Sequence, residues 1–303
     1  MGLAAGALWT AAAASETSAA PAVTAGAGEF VLCFNTATIR GQKLGLAREV
    51  ELTARCGYQA IEPWVEAIEQ YAQSGGSLRD MRQKIADAGL TVESAITFPE
   101  WVVDDDARRA KGLERIRREM DLLAQIGGKR VALPPAGATN EPGLDLRKAA
   151  ERYRAVLEIG DQLGVVPQVE AWGFSKNLSR LSEAAFVAME SGHPKACVLS
   201  DVFHMFKGGS EFRGLALLSA QAHPVFHMND YPAQPAREQM NDGHRVYPGD
   251  GVAPLRQILG DLRAAGGRTV LSLELFSRTY WEQDAEVVAR TGFQKLRAVV
   301  QRA

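Results

Sequence analysis

The chain has 303 residues, 46% of them hydrophobic, with a formal net charge of −2 and three cysteines. That is enough apolar material for one large core, and a single domain of more than 250 residues is ordinary for a barrel. Basic and acidic residues are interspersed, so no face carries the positive footprint that nucleic acid requires. Cys33, Cys56 and Cys197 are too few and too far apart for a disulfide framework or a thiolate metal site and read as buried free thiols.

Residues 1–28 differ in composition from the remainder. Leu3 to Ala14 is small and apolar, and Ser15 to Gly28 is rich in Ala, Ser, Thr and Gly. The run is too short to span a bilayer, so stable membrane insertion is not expected. It fits the apolar region and cleavage zone of a signal peptide, with Ala12-Ala13-Ala14 as a candidate site, but lacks the preceding basic stretch. The expectation is export to the periplasm if this is a truncated signal peptide, and a disordered Ala-rich leader on a cytoplasmic protein otherwise.

From Phe30 onward, short β-rich runs alternate with longer segments of helical period. Strands are expected at Phe30–Asn35, Ala60–Trp64, Thr91–Thr97, Arg130–Leu133, Val165–Glu170, Ala196–Asp201, Pro224–Asn229 and Thr269–Glu274. Amphipathic segments lie between and after them at Leu44–Cys56, Leu78–Ala88, Ala107–Ile126, Leu146–Leu163, Ser182–Ser191, Gly214–Leu218, Val252–Ala265 and Ala285–Ala303. Several end in a glycine that leads into the next strand, as in Cys56-Gly57-Tyr58, Ala88-Gly89-Leu90, Ile126-Gly127-Gly128 and Leu163-Gly164-Val165. Eight such units predict an α/β fold, a single (β/α)8 TIM barrel over residues 29–303. An open doubly wound sheet is the alternative.

The strands of such a barrel are buried on both faces, so charged residues at their C-terminal ends call for a reason, and active sites form there. Four apolar strands end this way: Val165 to Val169 leads to Glu170, Cys197 to Ser200 to Asp201, Val225-Phe226 to His227, and Val270 to Leu273 to Glu274. Three carboxylates and an imidazole converging in a partly desolvated mouth repel one another unless a cation neutralises them. One divalent metal ion on Glu170, Asp201, His227 and Glu274 is the simplest remedy. Oxygen-rich ligation suits Mn²⁺, Mg²⁺ or Co²⁺ at least as well as Zn²⁺, with Mn²⁺ favoured.

At these residues the chain resembles the xylose-isomerase-like TIM barrels, the sugar phosphate isomerase/epimerase superfamily that includes ketose 3-epimerases, inosose dehydratases and AP endonucleases of the endonuclease IV type. The resemblance runs from about Phe30 to the C-terminus. Its most specific pieces are Val169-Glu170, Asp201-Val202-Phe203-His204, His227-Met228-Asn229-Asp230, Tyr247-Pro248-Gly249-Asp250-Gly251 and Leu273-Glu274. It implies a metal on Glu170, Asp201, His227 and Glu274, with His204 facing a carbohydrate substrate. It also implies that Glu170 and Glu274 act as an acid/base pair, one removing a proton beside a carbonyl and the other returning it on the opposite face, while the metal steadies the enediolate. A lyase or dehydratase acting on a keto-sugar or 3-keto-glycoside shares nearly the whole site, and a noncatalytic sugar-binding barrel is the alternative from another class. The endonuclease branch takes further histidines from strands 3 and 4. Here those strands read Glu93-Ser94-Ala95-Ile96-Thr97-Phe98 and Val131-Ala132-Leu133-Pro134-Pro135, so nucleic acid is not expected as a partner.

Other residues stand just past strand ends, where βα loops overhang the metal. Glu62, Trp101, Lys176, Lys207, Asp242, His244 and Arg245 are expected to bind substrate, with Arg40, Trp64, Trp172, Arg278 and Trp281 as further rim candidates. Known epimerases often carry an acidic residue near the position of Lys176, which leaves the precise reaction open. The Asp242-Gly243-His244 run reads as a polar loop for substrate hydroxyls, or with His204 as a second metal site. A homo-oligomer is compatible with all of this.

Overall fold

The computed structural model describes residues 1–2 and 29–303; the stretch expected to hold a signal peptide or leader, residues 3–28, lies outside the described residues. In chain order the elements are β1 (Glu29–Asn35), α1 (Leu46–Arg55), β2 (Ala60–Glu62), α2 (Val65–Gln73), α3 (Leu78–Asp87), β3 (Thr91–Val92), α4 (Asp106–Gln125), β4 (Arg130–Leu133) and α5 (Leu146–Leu163). They continue with β5 (Val166–Glu170), α6 (Leu181–Glu190), β6 (Val198–Asp201), α7 (Val202–Gly208), β7 (Val225–Met228), α8 (Leu255–Ala264), β8 (Arg268–Leu273), α9 (Arg278–Trp281) and α10 (Ala285–Arg302). Asp105, Asp145 and Asp284 start α4, α5 and α10 by accepting backbone N–H groups of the first turn. The glycines expected to close helices have positive φ at Gly57, Gly89, Gly127 and Gly164.

All ladders are parallel, in the order β3-β2-β1-β8-β7-β6-β5-β4. The two end strands are brought together by the Lys129 N–H donating to the Val92 carbonyl at 3.2 Å and the Ala132 N–H donating to the Ala95 carbonyl at 2.8 Å. The eight strands thus curl into a barrel whose thinnest seam is β3–β4. The third strand was expected to run to Thr97, yet its regular ladder stops at Val92 and pairing resumes only at the Trp64–Ile96 bridge. Between these points Glu62 and Pro63 face Glu93, Ser94 and Ala95. The extra residue is a bulge, set where Pro63 has no N–H to donate.

Two further differences are local. The amphipathic segment expected at Gly214–Leu218 falls in a 3-10 turn over Phe212–Leu217. Helices α2 and α7 were not expected: α2 buries only Val65 and Ile68, too few for a visible stripe, and α7 buries four consecutive residues, Val202 to Met205, which hides any period.

The period-2 phase of the strands positions the site. Val31, Cys33, Ala60, Ala132, Leu199, Val225 and Val270 share one small cluster inside the barrel, separate from the larger apolar layer between strands and helices. Counting on in twos from these residues reaches Asn35, Glu62, Asp201, His227, Ser272 and Glu274, so the same alternation that fills the barrel aims polar groups into its C-terminal mouth. Among the described residues no helix is long and apolar enough to cross a membrane.

Candidate metal centre and active site

Asp201, His227 and Glu274 each offer a donor atom, and these lie within 4.8 Å of one another. The His227 Nδ1 atom is 3.1 Å from Glu274 Oε2, 3.7 Å from Asp201 Oδ2 and 4.0 Å from Glu170 Oε1. Glu170 therefore stands beside this triad, close enough to the imidazole to complete the set. All four side chains are buried.

Neighbouring residues fix their orientation. Asp201 caps α7 through Oδ1, which accepts from the His204 N–H at 2.7 Å, leaving Oδ2 to the mouth, where Asn229 donates to it at 3.0 Å. Asn35 donates to Glu274 Oε1 at 3.1 Å and to Glu62 Oε2 at 3.0 Å. The same Glu62 oxygen is 3.0 Å from His227 Nε2 and accepts from Ser272 Oγ at 2.6 Å. With Nε2 taken by Glu62, Nδ1 faces three carboxylates as a buried atom with no hydrogen-bond partner. An orphaned imidazole nitrogen ringed by carboxylate oxygens, with a carboxylate holding its far nitrogen, is a donor set that fits a divalent cation.

The electrostatics agree. Burial, with repulsion from Glu274 and Asp201, pushes Glu170 well above the usual carboxylate range despite the pull of His227. Burial works to discharge His227, but Glu274 and Glu62 outweigh it and hold the imidazole above its ordinary value. His204 goes the other way: burial lowers it, so a neutral ring faces the mouth.

Arg245 occupies the far side of the site. Its buried guanidinium donates from Nη1 to Asp201 Oδ2 at 2.8 Å and to Glu274 Oε2 at 2.7 Å, and from Nη2 to Asp242 Oδ1 at 2.6 Å, with His204 Nε2 3.1 Å from Nη2. The segment that carries it is held by Asp230, whose carboxylate accepts four backbone N–H groups, from Tyr231, Gly249, Gly251 and Ala253. Arg245 thus stands between His204 and Asp242, where a second metal on His204, Asp242 and His244 would have to sit. His244 instead contacts Asn241 through Nδ1 in a 3-10 turn.

These groups open onto a cavity of about 180 Å³ lined by Glu170, Glu274, His204, Asp242 and Arg245 on its polar side, and by Trp64, Ile96, Phe98, Trp172, Phe174 and Phe276 on its apolar side. Several residues expected to bind substrate lie elsewhere. Glu62 sits behind His227 with no exposure, its Oε2 taken up by Asn35, His227 and Ser272. Trp101 is wholly buried in the core and donates from Nε1 to the Pro134 carbonyl at 2.7 Å. Lys207, carried away by α7, donates to the carbonyls of Arg237 and Glu238 at 2.9 Å. Lys176 is exposed at a loop tip outside the cavity lining. Asn35 and Ser272, which the sequence did not single out, and Asn229 and Asp230, which it offered only within the His227-to-Asp230 motif, are the groups that aim the ligands and the Arg245 segment.

A family model described as xylose isomerase-like TIM barrel matches residues 50–299. A 3-dehydroshikimate dehydratase of Pseudomonas aeruginosa is 28% identical over 260 residues, covering 83% of this chain and 39% of that protein. The chain therefore spans about two-fifths of the dehydratase. An inosose isomerase of Bacillus licheniformis is 26% identical over 269 residues, covering 86% of this chain and 94% of that protein. In three dimensions a crystal structure of the IOLI protein with a bound zinc atom superposes with a TM-score of 0.83 at 22% identity, covering 90% of this chain and 98% of that one. The curated relatives are enzymes, and isomerase and dehydratase are both represented among them. By the span of that match and by its eight parallel strands, the chain belongs to the xylose isomerase-like TIM barrel family.

Proposed function

We propose that this protein is a metal-dependent carbohydrate isomerase or epimerase that abstracts a proton next to a carbonyl, with Glu170 and Glu274 as the acid/base pair. The observation that carries the reading is that these two carboxylates, from strands separated by β6 and β7, line the same small cavity beside Asp201 and His227. Approaching from different sectors of the ring, they can address opposite faces of one carbon. Asp201, His227, Glu274 and Glu170 would hold one divalent ion, with Mn²⁺ the favoured fit to an oxygen-rich set and Zn²⁺ the ion present in the IOLI structure. Such an ion supplies polarisation of the substrate carbonyl and charge to balance the enediolate, worth several kcal/mol on the general scale. The chain's own part is to place two bases, to orient hydroxyls through His204 and Asp242 with Arg245 holding Asp242 in place, and to exclude water with the aromatic wall.

The same enolisation followed by loss of a β-substituent makes a lyase, the reading favoured by the dehydratase relative. Incubation of the metal-loaded protein in D₂O with ketoses, inososes and 3-keto-glycosides separates the two. Deuterium in a recovered isomer supports epimerisation, and release of water or an aglycone supports elimination. No exchange with any of them would contradict both. Glu170→Gln and Glu274→Gln should each lower turnover by about 10²-fold or more, and full activity in both would remove the two-base scheme.

A further inference from the structure

We propose that the mouth of this site is built for an uncharged ring that carries an aromatic appendage, the appendage lying against Trp172 and Phe174. The assignment rests on the carbohydrate reading above and adds the substrate class to it.

The first observation is an aromatic collar. Ring centroids follow one another from Phe276 to Trp64 at 6.3 Å, Trp64 to Phe98 at 5.1 Å, Phe98 to Trp172 at 5.8 Å, Trp172 to Phe174 at 5.2 Å and Phe174 to His204 at 5.8 Å. Every member lines the cavity. One member of the collar, Trp64, is already covered, since the Arg40 guanidinium lies 3.9 Å over its ring. Another is open, because Phe174 remains 48% exposed.

The second observation is that the loop carrying this exposed ring is held firmly. The Trp172 N–H donates to the Leu178 carbonyl at 3.0 Å, and the Ser175 N–H donates back to the Trp172 carbonyl at 2.8 Å. Gly173 lies so close to α7 that a Cβ there would fall 2.4 Å from the His204 carbonyl oxygen. Asn177 ties the loop to its neighbour, donating to the carbonyls of Ala138 and Glu141 and accepting from the N–H groups of Gly143 and Leu144. A preorganised apolar ring presented to water at the rim of a polar site is what an apolar part of a ligand would cover.

The third observation is charge. Among the described residues lining the cavity, Arg245 is the one cation, and its donors are engaged by Asp201, Glu274 and Asp242. The other titratable side chains lining it are His204 and the carboxyl groups of Glu170, Asp242 and Glu274. A phosphate or carboxylate on the substrate would find no free cationic side chain in the lining, and a neutral ring needs none.

Calorimetric titration of metal-loaded and metal-free protein with phenyl β-D-glucopyranoside, methyl β-D-glucopyranoside and quinate tests the proposal. These probes carry no ketone, so the titration reads the mouth and not the chemistry. The phenyl glycoside should bind about tenfold more tightly than the methyl one, the size of one aromatic contact, and quinate more weakly than either. Phe174→Ala should abolish the phenyl preference, with thermal unfolding verifying that the variant is folded; Trp172→Phe should keep part of it. Equal affinity for the two glycosides, no binding of either, a preference that survives Phe174→Ala, or tightest binding of quinate would overturn the assignment. Solvent exchange persisting alongside such a result would leave the proposed function standing and remove only this substrate class.

Discussion

Replacing Glu62 with glutamine tests the role of the carboxylate behind the imidazole. One oxygen of this fully buried group takes contacts from Asn35 at 3.0 Å, His227 at 3.0 Å and Ser272 at 2.6 Å. Burial opposes its ionisation, but His227 and the serine hydroxyls hold its pKa below the usual value, so it works as an anion. Glutamine keeps the shape and an acceptor but removes the charge, and a neutral hydrogen bond is about half as strong as a charge-assisted one. The imidazole contact then weakens by about 1–2 kcal/mol, which is roughly 5- to 30-fold in metal affinity. That range overlaps the ten- to hundredfold typical of groups that orient a metal ligand from behind. Competition with a chromogenic chelator at neutral pH measures it, with thermal unfolding as the control for folding. Metal affinity within about twofold of wild type, which is smaller than the change worked above, together with a raised KM would refute the reasoning. It would place Glu62 on the substrate instead, where the sequence alone had put it.

Two further outcomes follow from buried charge. Arg245→Met leaves Asp201, Glu274 and Asp242 without their shared cation, so the metal-free protein should lose on the order of 3 kcal/mol; urea unfolding with and without metal should show the divalent ion restoring part of this, and equal losses in both would contradict the placement. At the opposite end of the barrel, Glu93 is fully buried between Lys129 and Arg268, at 2.7 and 2.8 Å, with Arg130 at 3.4 Å. Burial works against the carboxylate, but these cations win and hold it at about 2, below the usual carboxylate range. A depressed carboxylate contributes stability that is present above the unfolded value and disappears as pH falls toward the folded one. Glu93→Gln should therefore cost about 2 kcal/mol at neutral pH, after allowing for screening of its half-exposed partners, and the difference from wild type should shrink between pH 4.5 and 2. A pH-independent difference would argue against it.

The ligands were legible because barrel geometry makes them so. A strand buried on both faces has no use for a charge, so Glu170, Asp201, His227 and Glu274 stand out after their apolar runs, and the two-residue period aims Asp201, His227 and Glu274 inward with their neighbours. The same rule misplaced Glu62. It too ends a strand, but its contact with His227 crosses from β2 to β7, a pairing that no local pattern encodes. Asn35, Asn229 and Ser272 are small polar residues that in sequence look like ordinary strand-end or turn chemistry. Lys207 stands just past a strand end in the sequence, but α7 begins at once after Asp201 and swings the lysine onto the carbonyls of Arg237 and Glu238. Phe98, Phe174 and Phe276 sit in loops without period, so the collar they form with Trp64 and Trp172 exists only once the strands are closed into a ring.

The central claim is that one divalent ion binds at the ends of the last four strands. Anomalous diffraction from crystals of the metal-loaded protein measures this directly. The account predicts a single peak at about 2.0–2.3 Å from oxygens of Asp201, Glu274 and Glu170 and from Nδ1 of His227, with Nε2 of His227 still held by Glu62. A peak bound by His204, Asp242 and His244 instead, or no peak at the four strand ends, would contradict it.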